Sequence, residues 1–160
     1  MPALTPEQRA FLGEARRATL ATTGPDGRPR LVPVCYALRP EDDAGRPVIY
    51  TPLDEKPKRS GDVHDLARVK DILVLPDVTL LIDRWDEDWA RLAWLRLYGS
   101  GELLEPEPRE VAEHALAVRL LRDRYPQYHG HALEMLPVIC IRIDRVVGWE
   151  ATPAGRPDVG

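Results

Sequence analysis

Val48-Ile49-Tyr50-Thr51-Pro52-Leu53-Asp54-Glu55-Lys56-Pro57-Lys58-Arg59 is the stretch on which the reading of the chain turns. It opens as a strand: Val48, Ile49, Tyr50 and Thr51 are β-branched or aromatic, and Pro47 stands at a position where a strand tolerates proline. Pro52 has no N–H to give to a ladder, so the strand is expected to stop there. A turn then delivers Lys56, Lys58 and Arg59 together, with Pro57 fixing φ between the lysines. Cations preset at a strand end suit the phosphate of a ligand, which they bind by charge-assisted hydrogen bonds. A solvated basic turn is the plainer alternative.

Upstream, Ala18-Thr19-Leu20-Ala21-Thr22-Thr23 reads as a strand. Gly24-Pro25-Asp26-Gly27 supplies the φ values of a tight turn, and Pro29 to Leu38 reads as the return strand of a hairpin. Pro33 interrupts that strand, which predicts a sheet edge or a bulge. Val32-Pro33-Val34 therefore has two readings: backbone offered to a flat ligand, or an edge blunted against aggregation. Before the hairpin, Thr5, Pro6 and Gln8 have the spacing of a helix N-cap, a first-turn proline and a capping box.

Downstream, Asp62 is placed to cap a helix running to about Leu73, with Val63, Leu66, Val69 and Ile72 as its buried stripe. Val78 to Asp83 reads as a buried strand, and Leu92 to Leu104 as another, with Trp94, Arg96 and Tyr98 on one face and Leu95 and Leu97 on the other. Gly99 and Gly101 predict a bend. The connection between these strands sets Trp85 and Trp89 among acids, which fits a substrate site or a dimer interface equally well. Pro106-Glu107-Pro108 opens a helix whose apolar face is expected to be Val111, Ala115, Val118 and Leu121, ending near Arg124. Pro137 to Asp144 reads as the last strand, and Arg145 to Trp149 closes the fold.

About six antiparallel strands with helices between them predict a mainly β domain over residues 1–150, a barrel with helices over its openings, followed by a frayed tail at 151–160. A chain of 160 residues with 44% hydrophobic content suits one globular domain. The net charge of −4 argues against a general nucleic-acid surface, so the basic turn is a local exception that favours a small anion. No apolar run is long enough to span a bilayer and the N-terminus does not read as a signal peptide, so a cytoplasmic location is expected. Cys35 and Cys140 lie in apolar strand-like runs and read as free buried thiols. His129 and His131 have no acid or cysteine placed to complete a metal site. The glycine patterns of the common nucleotide folds are missing, and no nucleophile–base grouping stands out.

Taken together, the hairpin around Gly24-Pro25-Asp26-Gly27, the Tyr50-Thr51 strand and the Lys56-Pro57-Lys58-Arg59 turn resemble the pyridoxamine 5′-phosphate oxidase-like family of split β-barrels. The runs Asp83 to Trp94, Arg124-Tyr125-Pro126-Gln127-Tyr128 and Gly148-Trp149 resemble one subgroup of it, the actinobacterial oxidoreductases that depend on the deazaflavin coenzyme F-420. The resemblance extends from about Ala10 to Glu150. It implies a homodimer with cofactor in clefts between subunits. It implies that Lys56, Lys58 and Arg59, helped by Thr51, hold the cofactor phosphate, and that Val32, Pro33 and Val34 lie along the ring system. Tyr50 and Trp94 become neighbours of the ring, and Trp85, Trp89 and Trp149 candidates for the substrate side. The implied reaction is hydride transfer to a small conjugated acceptor, in which the cofactor carries the chemistry and the protein orients it. FMN, which also bears a phosphate, is the alternative cofactor, and a carrier that binds without turnover fits the same residues.

Overall fold

The computed structural model describes residues 3–53, 61–109 and 111–151. Lys56, Lys58 and Arg59, like the tail at 152–160, lie outside the described residues. The described chain forms a single seven-stranded antiparallel sheet. Its strands are β1 (Ala18–Thr23), β2 (Pro29–Val34), β3 (Ala37–Arg39), β4 (Val48–Pro52), β5 (Asp77–Arg84), β6 (Ala93–Leu104) and β7 (Val138–Glu150). Three α-helices accompany them: α1 (Pro6–Glu14), α2 (Ala67–Val74) and α3 (Val111–Arg124). The mainly β, split-barrel expectation is met.

The spatial order is β2-β1-β5-β6-β7-β4-β3. The two edge strands, β2 and β3, are consecutive in sequence, with only Cys35 and Tyr36 between them. Three virtual bonds span at most about 11 Å, so the sheet must curl until its edges nearly meet. No ladder joins them, and the barrel is split along that seam. The expected single strand from Pro29 to Leu38 is therefore two strands, which raises the count from about six to seven. The break does not fall at Pro33. That residue pairs with Thr19 in an unbroken β1–β2 register, and on an edge strand its missing N–H leaves no partner stranded.

The break is set by Tyr36, which is fully buried. Its hydroxyl donates to the Leu12 carbonyl at 2.6 Å, and its N–H donates to the Tyr125 hydroxyl at 3.2 Å. Burial pushes the Tyr36 phenol up to about 12. α1 begins with the expected capping box between Thr5 and Gln8, but it has no basic residue in its last turn. Arg124, at the end of α3, supplies that charge: it donates to the carbonyls of Leu12 and Ala15, and its guanidinium lies 4.7 Å from the Tyr36 ring centroid. The seam is thus pinned by the ends of two helices.

Strand alternation divides the apolar residues into two cores. Leu20, Val34, Ile49, Leu80, Leu97 and Ile141 fill the barrel with Leu12 of α1 and Val69 and Ile72 of α2. Val48, Tyr50, Val138 and Cys140 face outward, where Ala117, Val118 and Leu121 of α3 cover them. α3 is rotated from the expected face: Val111 is half exposed and Ala115 exposed, while His114 and Ala117 are buried. A buried histidine is admissible here because its Nε2 pairs with the Leu136 carbonyl at 2.6 Å.

α2 starts later than its sequence suggests. Asp62 caps a 3-10 turn at Val63–Asp65, and the α-helix begins after Leu66. Asp71 of α2, 4% exposed, accepts from the Thr22 hydroxyl at 2.7 Å and pairs with Arg30 at 3.0 Å, which locks α2 onto the β1–β2 hairpin. β7 runs to Glu150 rather than ending near Asp144. Its pairing with β6 shifts register between Tyr98 and Gly99, so Asp144 is bulged out, and the glycine predicted to mark a bend sits at that bulge.

Candidate functional site

Two corners of the barrel carry the residues singled out from the sequence. The first is where β2 passes through the seam into β3 and β4. Val34 stands three residues before Ala37, and Ala37 is the register partner of Tyr50, so Val32 to Val34, Tyr50 and Thr51 converge on one corner. Val34 points into the barrel core and half-buried Val32 packs against it; Pro33 is exposed on the outer face. As an edge strand, β2 leaves one row of its peptide groups without a ladder partner.

Tyr50 and Thr51 are both fully buried, and alternation sends them to opposite sides of the sheet. Tyr50 lies beneath α3, where its hydroxyl donates to Glu113 Oε1 at 2.8 Å. Burial raises the Tyr50 phenol above its ordinary value. Glu113 also accepts from Arg142 Nη2 at 2.9 Å and lies 3.5 Å from Arg39 Nη1. Burial alone would raise the Glu113 carboxyl, but the hydrogen bonds from Arg142 and Tyr50, with the guanidinium charges of Arg142 and Arg39, hold it below the usual carboxylate value. Tyr50 is thereby engaged in docking α3. Thr51 differs: its Oγ1 is buried and has no hydrogen-bond partner among the described residues. A buried hydroxyl without a partner is uncommon in a folded protein.

β4 ends at Pro52, as its proline predicts, with Pro52 paired to Val138. In the described residues that begin at Gly61, His64 fastens the chain to the end of β6. His64 Nδ1 lies 2.7 Å from Asp62 Oδ1, and Nε2 lies 2.7 Å from Glu105 Oε1, at the end of β6. Ionised carboxylates only accept, so both contacts are hydrogen bonds only when the ring is protonated on both nitrogens. The hydrogen bonds to Glu105 and Asp62 accordingly raise its pKa. A raised histidine stabilises the fold fully below its unfolded value of about 6.5 and loses that contribution as pH rises through the folded value. Melting temperatures taken between pH 6 and 9 should fall more steeply for the wild type than for His64→Gln. Parallel curves would remove the bridge from the stability of this region.

The second corner is the far end of β6 and β7. Trp94 and Trp149 are register partners there and share the outer face. The Arg96 guanidinium lies 5.0 Å from the Trp94 ring centroid and 5.5 Å from that of Tyr98. Trp85 and Trp89 lie in the connection before β6 and are 67% and 68% exposed, so neither packs into this chain. Thr51 shares a row with Ile139 and Leu103. Leu103 is nine residues along β6 from Trp94, a separation of roughly 30 Å. Within one chain, therefore, Thr51 and Trp94 cannot both touch a small ring. The outer face between the corners, with Leu31 67%, Leu81 38% and Trp149 49% exposed, has no helix over it among the described residues.

A cleft of about 510 Å³ opens at the second corner between α1 and the ends of β6 and β7. It takes in Trp94 and Trp149 and also Phe11, Glu14, Arg84 and Glu150, which reading the sequence passed over. The helical spacing of Glu7, Phe11 and Glu14 was the available signal: at i, i+4 and i+7 they share one face of α1. Among the described residues no cluster of histidine, cysteine and acidic side chains is placed to hold a metal ion, and no helix is long and apolar enough to cross a membrane.

No curated protein matches the chain. Solved structures do match its fold. A conserved hypothetical protein from Mycobacterium tuberculosis superposes with a TM-score of 0.64 at 20% identity, over 98% of this chain and 91% of that one. A heme storage protein from Vibrio cholerae gives 0.66 at 14% identity, over 93% and 95%. An F420 reductase gives 0.60 at 19% identity, over 90% and 98%. At these identities the likeness is one of fold. The sequence model for pyridoxamine 5′-phosphate oxidase matches residues 4–150, nearly the whole described chain. With the seven-stranded split barrel and its seam, that match makes this chain a member of the pyridoxamine 5′-phosphate oxidase family.

Proposed function

We propose that the protein is a coenzyme F-420-dependent oxidoreductase, a homodimer that binds the deazaflavin between subunits and reduces a small conjugated acceptor. The observation that carries the cofactor part is the Thr51 hydroxyl, buried and without a partner among the described residues, five residues before Lys56. A buried donor leading into Lys56, Lys58 and Arg59 fits a phosphate, which offers acceptor oxygens and negative charge together. When bound, the reduced deazaflavin supplies a hydride to the acceptor. The residues of this chain have three tasks: Thr51 and the three cations anchor the phosphate, Val32 to Val34 line the ring, and Trp149, Trp85 and Trp89 shelter the acceptor from water. Fixing donor and acceptor in register lowers the barrier by several kcal/mol, as proximity effects do.

Distance supports the dimer part of the reading. Thr51 and Trp94 lie roughly 30 Å apart along the sheet, so both serve one cofactor only when Trp94 comes from a second copy. The uncovered outer face bearing Leu31, Leu81 and Trp149 has the apolar character such contact needs.

Fluorescence titration with F-420 tests the reading. Lys56→Ala and Lys58→Ala should each weaken binding about ten- to hundredfold, the loss of one charge-assisted contact. Arg28→Ala, at a side chain 86% exposed on the hairpin, should leave binding unchanged. Thr51→Val should act in opposite directions: it removes an unpaired buried hydroxyl and so stabilises the cofactor-free protein by ~1 kcal/mol, while it weakens cofactor binding. Equal affinities for the lysine variants and Arg28→Ala would remove the phosphate assignment. Tighter binding of FMN than of F-420 would transfer the reading to FMN. Tight F-420 binding with no turnover on a panel of quinones and enones would make the protein a carrier.

A further inference from the structure

The outer face of β6 and β7 holds a row of stacked side chains that the fold leaves without counter-charge. Trp94, Arg96 and Tyr98 follow one another on that face of β6, and Arg145 of β7 is the register partner of Tyr98. The Arg96 guanidinium lies 5.0 Å from the Trp94 ring centroid and 5.5 Å from that of Tyr98. The Arg145 guanidinium lies 5.2 Å from the Tyr98 centroid. Two rings thus fix the orientation of Arg96. Trp149, 49% exposed, is its diagonal neighbour, roughly 7–8 Å across the ladder.

Arg142, just before the bulge on β7, is paired with Asp42, Glu102 and Glu113. Arg96 and Arg145 have no ion pair and no hydrogen bond among the described residues, and the Arg96 Nε is buried without a partner. The register partners of Arg96, Leu81 and Val147, are apolar. Two acids stand nearby, and neither takes up the charge. Asp144, bulged out beside Arg145, lies 3.7 Å from Arg46 instead. Asp83, exposed and diagonal to Arg96, forms no ion pair among the described residues. Covering Trp94 and Tyr98 does not require a guanidinium. A methionine would cover them without burying an N–H that lacks an acceptor. A guanidinium held by two rings, with its outer N–H groups free, is preorganised for a carboxylate, which it binds through two parallel hydrogen bonds.

The geometry points to a binding site for flat organic anions on this face, molecules with a conjugated body and a carboxylate. Arg96 takes the carboxylate, and Arg145 adds positive charge beside it. Trp149, over which no arginine is stacked among the described residues, takes the body. The binding stands without any cofactor. That such an anion is also the acceptor in hydride transfer rests on the function proposed above, in which a second copy closes this face.

Calorimetric titration of the full-length, cofactor-free protein with 2-naphthoate tests the inference, with 2-naphthamide as an uncharged molecule of the same shape. The anion should bind saturably, at least about tenfold more tightly than the amide. Arg96→Met should weaken it about ten- to hundredfold, and Arg96→Lys nearly as much, since an ammonium cannot offer paired N–H groups. Because Arg96→Met removes a buried donor that has no partner, its melting temperature should hold or rise, so weaker binding cannot be put down to unfolding. Failure of naphthoate to bind, equal binding of the amide, or an anion affinity unchanged in Arg96→Met would overturn the site. So would a dimer that Arg96→Met dissociates and that takes up no naphthoate, because the guanidinium would then belong to the contact between copies. The acceptor role is read separately, in turnover with F-420. There kcat/KM should favour a carboxylated quinone over its methyl ester by about tenfold, and Arg96→Met should abolish that preference through KM. If F-420 does not bind, the function proposed above falls, and the naphthoate titration still decides the site.

Discussion

Gly99→Ala should destabilise the protein by ~2–3 kcal/mol and Gly99→Val by more, at the upper end of what overpacking a core costs. The cause is local and rigid. A Cβ at Gly99 would be driven into the carbonyl oxygen of Arg142 and would come within 3.1 Å of Ile141 Cγ2. A peptide group held in a ladder cannot swing aside as a side-chain tip can. The pressure falls at the bulge where β6 and β7 change register, so relief requires the two longest strands of the sheet to part. Gly13→Ala is the matching control. Nothing lies within 4 Å of a Cβ there, the site is helical and exposed, and the substitution should stabilise by about 0.5–1 kcal/mol. Urea midpoints followed by circular dichroism read both. A Gly99→Ala midpoint equal to that of the wild type would show that the strands yield at the bulge.

Glu113→Ala should destabilise by about 1–2 kcal/mol, because the carboxylate is 22% exposed and its ion pairs are only partly buried. It would leave the Tyr50 hydroxyl beneath α3 without its carboxylate acceptor, while Arg142 keeps Glu102 and Asp42. Asp43→Ala removes another carboxylate that pairs with Arg39, but one fully exposed to solvent, and it should change stability by no more than about 0.5 kcal/mol. The pH dependence has a definite sign. A depressed carboxylate contributes above its ordinary pKa of about 4.3 and loses that contribution as the pH falls through the lower folded value. The acid limb of the stability curve should therefore flatten in Glu113→Gln. An unaltered acid limb would place the acid sensitivity elsewhere.

Local chemistry made much of this fold legible before any coordinates. The Thr5–Gln8 capping box, the Gly24–Gly27 turn and the bounds of β1 depend on neighbours a few residues apart, and all stand as the sequence states them. The two faces of β6 follow from alternation alone. What escaped depends on distant partners. The break at Cys35 and Tyr36 is dictated by Leu12 and Tyr125, and no pattern around Pro33 announces it. α3 turns its buried face toward His114 because Leu136 offers an acceptor, which outweighs the apolar claim of Val111. In the candidate site, Thr51 was legible as a residue but its unpartnered hydroxyl was not. Thr51 and Trp94 look like one constellation in a linear sequence, and only the register of β6 separates them.

The join between β2 and β3 also bears on how the protein tolerates change. Cylinders of this type are ordinarily sealed by a ladder, which can slip, fray and re-form. Here the rims are held by covalent chain of fixed length. Adding a few residues after Cys35 would let the wall unroll into an open ribbon by length alone. Insertion scanning should therefore find its least tolerant point at that dipeptide.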